Sequence, residues 1–259
     1  MSEAVFLFTL IAKFSNLSSV LGLFFLAVVV PVLLSLVAVD GKTADTLIGI
    51  VGGPTLAMAI SYTFIQDNVA NTKQMNDGEY LSLLFSRPLA RSQYVISKWL
   101  AGSVGVFTIM LLNILTFNLA QFVQGRSSHV DTDFWTLASL ALNACSYSAL
   151  MVVIRSFPMR LGIAAFVILV YASMFSQILN FSMSSYQATL PAAYYFFQGI
   201  SLLSTFLQQF VYPGIDLYEI FNSTRFSILP LVAYVSNVLL YLLFATMLLN
   251  RREFSYGED

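Results

Sequence analysis

Residues 77–99 read D-G-E-Y-L-S-L-L-F-S-R-P-L-A-R-S-Q-Y-V-I-S-K-W and lie between two long apolar runs. Only 10% of the protein is charged, yet this stretch carries five charged side chains: Asp77, Glu79, Arg87, Arg91 and Lys98. A charged segment between apolar runs is expected to lie in water. Apolar residues at 80, 81 and 83–85 predict a short amphipathic helix along a membrane surface. Arg87-Pro88 would end it, because the residue before a proline avoids the α region.

The composition of the whole chain is typical of an integral membrane protein. Of its 259 residues 58% are hydrophobic and 23 are Phe, and its mean hydropathy is +0.79. A soluble domain with a large core does not reach these values. The net charge is −1 without a basic arm or an acidic tail, so nucleic acid is not expected as a partner.

Six apolar runs without a charged residue are each long enough to cross a hydrocarbon core of about 30 Å. They cover residues 18–39, 47–65, 99–122, 134–154, 161–180 and 226–249. We therefore predict an all-α integral membrane protein, a single transmembrane domain over residues 1–259. The segments between and before the spans are predicted as an interfacial N-terminal segment at 1–16, a cytoplasmic loop at 66–98, and an external segment at 181–225 with short re-entrant or interfacial helices.

The distribution of basic residues predicts the orientation. With both termini and the 66–98 loop in the cytoplasm, nine of the 12 Lys and Arg residues are inside: Lys13, Lys73, Arg87, Arg91, Lys98, Arg155, Arg160, Arg251 and Arg252. The other three, Lys42, Arg126 and Arg225, are outside. This asymmetry follows the positive-inside rule, and it agrees with an even number of spans.

The 77–99 stretch resembles the cytoplasmic docking helix of permease subunits of type-2 ABC exporters. In that family a Gly, an acidic residue, a Leu-Leu pair, Ser-Arg-Pro, a second Arg and Tyr-x-x-x-Lys form the coupling helix that docks into an ATPase. The matching residues are Gly78, Glu79, Leu83, Leu84, Ser86, Arg87, Pro88, Arg91, Tyr94 and Lys98. The resemblance implies two cytoplasmic ATPase subunits, a second permease chain that is identical or different, and a bacterial cytoplasmic membrane. Without the resemblance, a basic amphipathic loop attracted to anionic lipid remains an alternative.

The sequence offers no motif for catalysis. Gly41-Lys42-Thr43 matches the tail of a nucleotide-binding P-loop, but Leu36 stands where that motif needs its first Gly. The only histidine is His129, in a predicted external loop, and the six runs contain no carboxylate. We therefore expect no catalytic, cofactor-binding or metal-binding residues in this chain, and ATP bound and hydrolysed by the partner. A secondary transporter is disfavoured because its ion sites usually need intramembrane charges.

Uncharged polar side chains within the spans have two interpretations. Such residues usually form hydrogen bonds between helices. They can also line a translocation path, and a path without fixed charge suits an amphiphilic, lipid-like or peptide substrate. The candidates for a path are Asn113, Asn118, Asn143, Gln177 and Asn237. A different class of function, a non-transporting anchor or assembly subunit that recruits an ATPase for mechanical work, also fits the docking loop.

Overall fold

The structure is a computed structural model. It describes residues 5–7, 9–11, 17–37, 54–65, 90–126, 132–157, 161–169, 195, 198–199, 202, 214–222 and 228–251. These parts of the chain contain helices and short connections, and they contain no strand. The prediction of an all-helical protein is confirmed at this level.

The described ranges contain seven α-helices and one π-helical turn with the following bounds. They are α1 (Leu17–Phe24), the π turn (Phe25–Val29), α2 (Val30–Val37), α3 (Pro54–Ile65), α4 (Arg91–Val123), α5 (Phe134–Ser156), α6 (Leu217–Asn222) and α7 (Leu229–Arg251). Residues 161–169 are also helical.

Three of these helices are long and apolar enough to cross a membrane. They are α4, α5 and the Leu229–Asn250 part of α7, and they match the predicted runs at 99–122, 134–154 and 226–249. The stretch Val20–Leu36 is a shorter apolar helix. The predicted spans at 47–65 and 161–180 are described only over residues 54–65 and 161–169. The chain is therefore a membrane-embedded protein.

Helix α4 begins eight residues before the predicted span. Ala90 has an extended backbone, and the helix then runs for 33 residues from Arg91. At 1.5 Å per residue it is about 50 Å long, which exceeds the hydrocarbon core by several turns. Residues 91–98, predicted as the end of a cytoplasmic loop, thus form the first turns of a helix that is longer than one membrane crossing requires.

Helix α4 packs closely on α3 and α5 because small residues lie between them. A Cβ atom added to Gly102 would lie 3.0 Å from Cγ1 of Ile65 and 3.4 Å from Oγ of Ser148. The indole nitrogen of Trp99 donates to the carbonyl of Cys145 over 2.9 Å. Trp99 therefore joins two helices. Close packing of small residues is the usual source of helix association in lipid.

Helix α7 packs on α5 and α4 through one face only. Its buried side chains include Tyr234, Val238, Ala245 and Leu249, and the Tyr234 hydroxyl donates to the carbonyl of Leu142. Within its most apolar window only 17% is buried inside the chain. The remaining face is apolar, so it is suited to lipid or to another membrane chain.

We expect Gly162→Ala to lower the stability of the fold. An added Cβ would lie 2.7 Å from the carbonyl oxygen of Ile154, a backbone atom that cannot rotate away. Overpacking of this kind costs about 1–3 kcal/mol. Thermal unfolding of the purified chain in detergent measures the change. The matched control is Gly22→Ala, where a Cβ meets nothing within 4 Å. Equal unfolding temperatures for the two variants would contradict the expected clash.

Candidate functional site

The end of the bundle at which α4 begins is fixed by cations bound to helix C-termini. Nη1 of Arg91 donates to the carbonyl of Leu249, near the end of α7, over 2.7 Å. Nζ of Lys98 lies 3.4 Å from the carbonyl of Ile65, the last residue of α3. The last carbonyls of a helix lack intrahelical donors and carry partial negative charge, so cations stabilise them. The start of α4 is therefore bonded to the ends of two other helices.

Lys98 is buried in this arrangement, with only 6% of its surface exposed. Its ammonium group lies 5.2 Å from the centre of the Tyr94 ring, which is also buried. A cation over an aromatic face is stabilised by the ring quadrupole. The expectation that the charged stretch lies in water is therefore wrong for Lys98, because a carbonyl and an aromatic ring replace its hydration.

A third cation joins two more elements at the same end. The guanidinium of Arg155, in the last turn of α5, lies 5.3 Å from the centre of the Tyr62 ring on α3. The Tyr62 ring in turn stacks on Phe166, at a centroid distance of 4.0 Å. The ends of α3 and α5 and the 161–169 helix thus meet beside the start of α4. We refer to Arg91, Lys98 and Arg155 with their acceptors as the cation-bonded end.

Three of the ten predicted docking residues are described, namely Arg91, Tyr94 and Lys98. The other seven lie outside the described residues: Gly78, Glu79, Leu83, Leu84, Ser86, Arg87 and Pro88. The two described cations both belong to the cation-bonded end. The motif therefore runs directly into the region where the helix ends converge.

The opposite end of the bundle contains a second group of hydrogen bonds, to a carbonyl near the end of α2. Gly125, with φ +67°, ends α4, and the amide of Arg126 donates to the carbonyl of Gln121 over 3.0 Å. This glycine turn directs Arg126 back to α2, where Nη1 donates to the carbonyl of Ser35 over 2.7 Å. The Gln121 side-chain amide donates to the same carbonyl over 3.3 Å. The sequence predicts an external position for Arg126, but it does not reveal this bond.

The predicted path residues have different surroundings in the described part of the chain. Asn143 bonds the backbone of Ile215 in both directions, its Oδ1 accepting over 2.8 Å and its Nδ2 donating over 3.3 Å. Asn118 and Asn237 are half-buried, and Asn118 has a polar or electrostatic contact. Gln177 lies outside the described residues. Asn143 thus has the helix-joining role that intramembrane amides usually have.

Asn113 differs from the other amides. It is fully buried within α4, and neither Nδ2 nor Oδ1 has a hydrogen-bond partner in the described parts of the chain. Burying an unpaired amide is unfavourable, more so where no water can replace the partner. Its position in a buried stripe with Phe117 and Gln121, four residues apart, is visible in the sequence, but its lack of a partner is not.

A polar cavity of about 340 Å³ lies between the start of α5 and the segment before α6. Its lining residues are Asp133, Thr136, Ser139, Asn143, Ile215, Asp216 and Tyr218. Ser139 and Asn143 hold the 214–217 segment on α5, since Oγ of Ser139 accepts from the amide of Leu217 over 2.9 Å. The carboxylate of Asp133 caps α5 by accepting from the amide of Thr136. Sequence reasoning did not predict this cavity, because its walls are distant in sequence.

The described residues contain no group of three or more His, Cys, Asp or Glu side chains placed to hold a metal ion. Comparison with known proteins finds no family model and no curated protein that matches this chain.

Proposed function

We propose that this chain is the permease subunit of an ABC exporter, forming the translocation path and coupling to a separate cytoplasmic ATPase. The observation that supports the proposal most is the cation-bonded end. Arg91 and Lys98, the last two cations of the docking motif, are bonded to the last turn of α7 and the last residue of α3. A partner that moves residues 78–90 would pull on α4, and the bonds would carry the motion to two further helices.

Within this proposal, the docking residues divide into two groups. Tyr94 and Lys98 are buried within the chain, so they position the docking segment and do not touch the ATPase themselves. Arg91 is half-buried and comes first in the sequence among the three described docking residues. The residues that would contact the ATPase are then Gly78, Glu79, Arg87 and their apolar neighbours.

The full assembly in this proposal has two copies of such a permease fold and two ATPase subunits. Each chain crosses the bacterial cytoplasmic membrane six times, with both termini inside and the coupling helix between the second and third spans. Closure of the ATPase dimer on ATP would move the coupling helices and change the access of the cavity between the permeases. The uncharged path residues favour an amphiphilic, lipid-like or peptide substrate.

The competing function is a non-transporting anchor or assembly subunit that recruits the same kind of ATPase. Co-purification of the two proteins cannot separate the alternatives, because both predict a stable complex. The deciding experiment reconstitutes the complex, isolated through the full-length chain from its native membrane, into proteoliposomes. A permease shows ATPase activity stimulated by a substrate that crosses the bilayer. ATP hydrolysis without movement of any amphiphile or peptide in a panel would favour the anchor.

We further expect the isolated chain to bind no nucleotide. The lone Gly41-Lys42-Thr43 triplet lacks the first P-loop glycine, so no loop of backbone amides is expected to hold the phosphates. Isothermal titration of the purified permease with Mg-ATP should show no saturable heat. The matched control is the intact complex, which should bind ATP through its ATPase subunits. A saturable site in the chain without partners would overturn its assignment as the non-catalytic subunit.

A further inference from the structure

The apolar helical stretch Leu17–Val37 is interrupted by a proline. Pro31 follows the π turn Phe25–Val29, in which the amide of Val30 donates to the carbonyl of Phe25. Because proline has no N–H, Pro31 cannot supply the α-helical hydrogen bond to the carbonyl of Ala27, and its ring crowds that carbonyl. A wider turn relieves the crowding. The Ala27 carbonyl has therefore lost its α-helical donor inside an apolar helix.

Asn113 lies at the same level on the neighbouring helix. The Gln121 side-chain amide donates to the carbonyl of Ser35, which aligns α4 with α2. The π turn and α2 both contact α4, so the two helices run in the same direction, and counting about eight residues back from Ser35 and from Gln121 brings Ala27 near the level of Asn113. The π turn contacts α4, and Ala27 belongs to the same buried cluster as Met110 and Ile114. A carbonyl without its helical donor and a buried amide without a partner thus lie on facing helices.

We propose that Asn113 and the Ala27 carbonyl form a latch between two conformations of the first helical stretch. In the conformation described here the latch is open, since Asn113 is fully buried and its amide has no hydrogen-bond partner among the described residues. In the second conformation the π turn shifts by one residue, and Nδ2 of Asn113 donates to the carbonyl of Ala27. An unpaired amide raises the free energy of the open form, and a paired amide lowers that of the closed form.

The latch gives the proposed permease a two-state element. Shifting a π turn by one residue rotates the part of the helix on one side of it relative to α4. The two arrangements would differ in which side chains face the centre of the protein, and this is what a change of access requires. The consequence for transport rests on the proposed function, whereas the latch itself does not.

The latch is tested by hydrogen exchange in lipid nanodiscs, read by mass spectrometry on peptides that cover residues 17–37. Asn113→Leu removes the donor that stabilises the closed form, and Pro31→Ala returns a helical donor to the Ala27 carbonyl. Asn113→Leu should trap the open form, and Pro31→Ala should replace the π turn by a regular α-helix, so neither variant can shift between the two forms. Both should therefore slow exchange by roughly two- to tenfold, the effect of one hydrogen bond. The double variant should exchange no more slowly than the slower single variant. Asn113→Leu should also unfold at a higher temperature, because its unpaired amide is gone.

The matched control is Asn118→Leu, on the same helix, at a side chain that has a polar or electrostatic contact. It should lower the unfolding temperature, and its effect on exchange should be the same with or without the Pro31→Ala substitution. Unchanged exchange or a lower unfolding temperature in Asn113→Leu would overturn the latch. If both variants exchange more slowly but the wild type shows no ATPase-coupled transport, the latch is supported and the permease function is contradicted. If the wild type transports a substrate but the variants exchange as the wild type does, only the latch is contradicted.

Discussion

Replacing Arg91 by Glu is expected to abolish most of the partner-stimulated ATPase activity while leaving the chain inserted in the membrane. Arg91 donates to the carbonyl of Leu249 over 2.7 Å, so the variant loses a hydrogen bond to a charged donor. Such a bond contributes about 1.5–3 kcal/mol. A carboxylate at this position would also face the negative end of α7. If that bond transmits the motion of the coupling helix, turnover should fall about ten- to a hundredfold.

Arg126→Glu is the matched control for this experiment. Arg126 also donates to a helix-terminal carbonyl over 2.7 Å, that of Ser35, but at the opposite end of α4. Both reversals should therefore cost similar stability, while only Arg91→Glu should weaken the binding or stimulation of the ATPase. Equal loss of activity in the two variants would indicate a general effect on folding.

Two further reversals separate docking from coupling. Glu79→Lys and Arg87→Glu change the charges expected to face the ATPase, where like charges would meet and weaken association. Pull-down of the ATPase by each variant measures binding, and the phosphate release rate measures coupling. Unchanged assembly and activity in all three reversals, at positions 79, 87 and 91, would remove the 77–99 stretch from its proposed role.

The long helices could be predicted from the sequence because each one corresponds to about 20 consecutive apolar residues. The runs at 134–154 and 226–249 agree with α5 and α7 within a few residues. Hydropathy predicts a span that begins at Trp99, because hydropathy marks the membrane boundary and not the end of the helix. Nothing between Arg91 and Trp99 breaks a helix, so α4 continues into the charged stretch.

The bonds at the helix ends could not be predicted, because they depend on which helices are neighbours. The sequence shows that Lys98 is charged, and a charge is expected in water. Only the fold brings the carbonyl of Ile65 and the ring of Tyr94 to its ammonium group. The π turn before Pro31 is a similar case, since a proline in a span predicts a kink but not the way the backbone accommodates it.

Residues 191–212 decide the topology of the C-terminal half, because they are apolar and long enough to cross the membrane. We expect them not to cross. A seventh crossing would place Arg251 and Arg252 outside, against the positive-inside rule. It would also place Gln198, Gln208 and Gln209 at lipid depth, where each unpaired amide costs about a kcal/mol or more.

The fold fixes one end of this segment. Ile215 and Leu217 are bonded to Asn143 and Ser139, in the first half of α5. Arg155, at the other end of α5, packs on the Tyr62 ring of α3 in the cation-bonded end. Asp216 therefore lies toward the end of the bundle opposite Lys98. If the docking stretch is cytoplasmic, Asp216 is external, and a segment that does not cross leaves Gln187 external too.

Single cysteines test this arrangement in a Cys145→Ala background, which removes the only native thiol. Gln187→Cys and Asp216→Cys should both react with an impermeant maleimide added to intact cells, and neither should react from the inside of inverted vesicles. Ser92→Cys, at an exposed position at the start of α4, is the control and should show the reverse pattern. Labelling of positions 187 and 216 from opposite sides would mean that residues 191–212 cross the membrane. The six-span topology, and with it the cytoplasmic C-terminus, would then have to be abandoned.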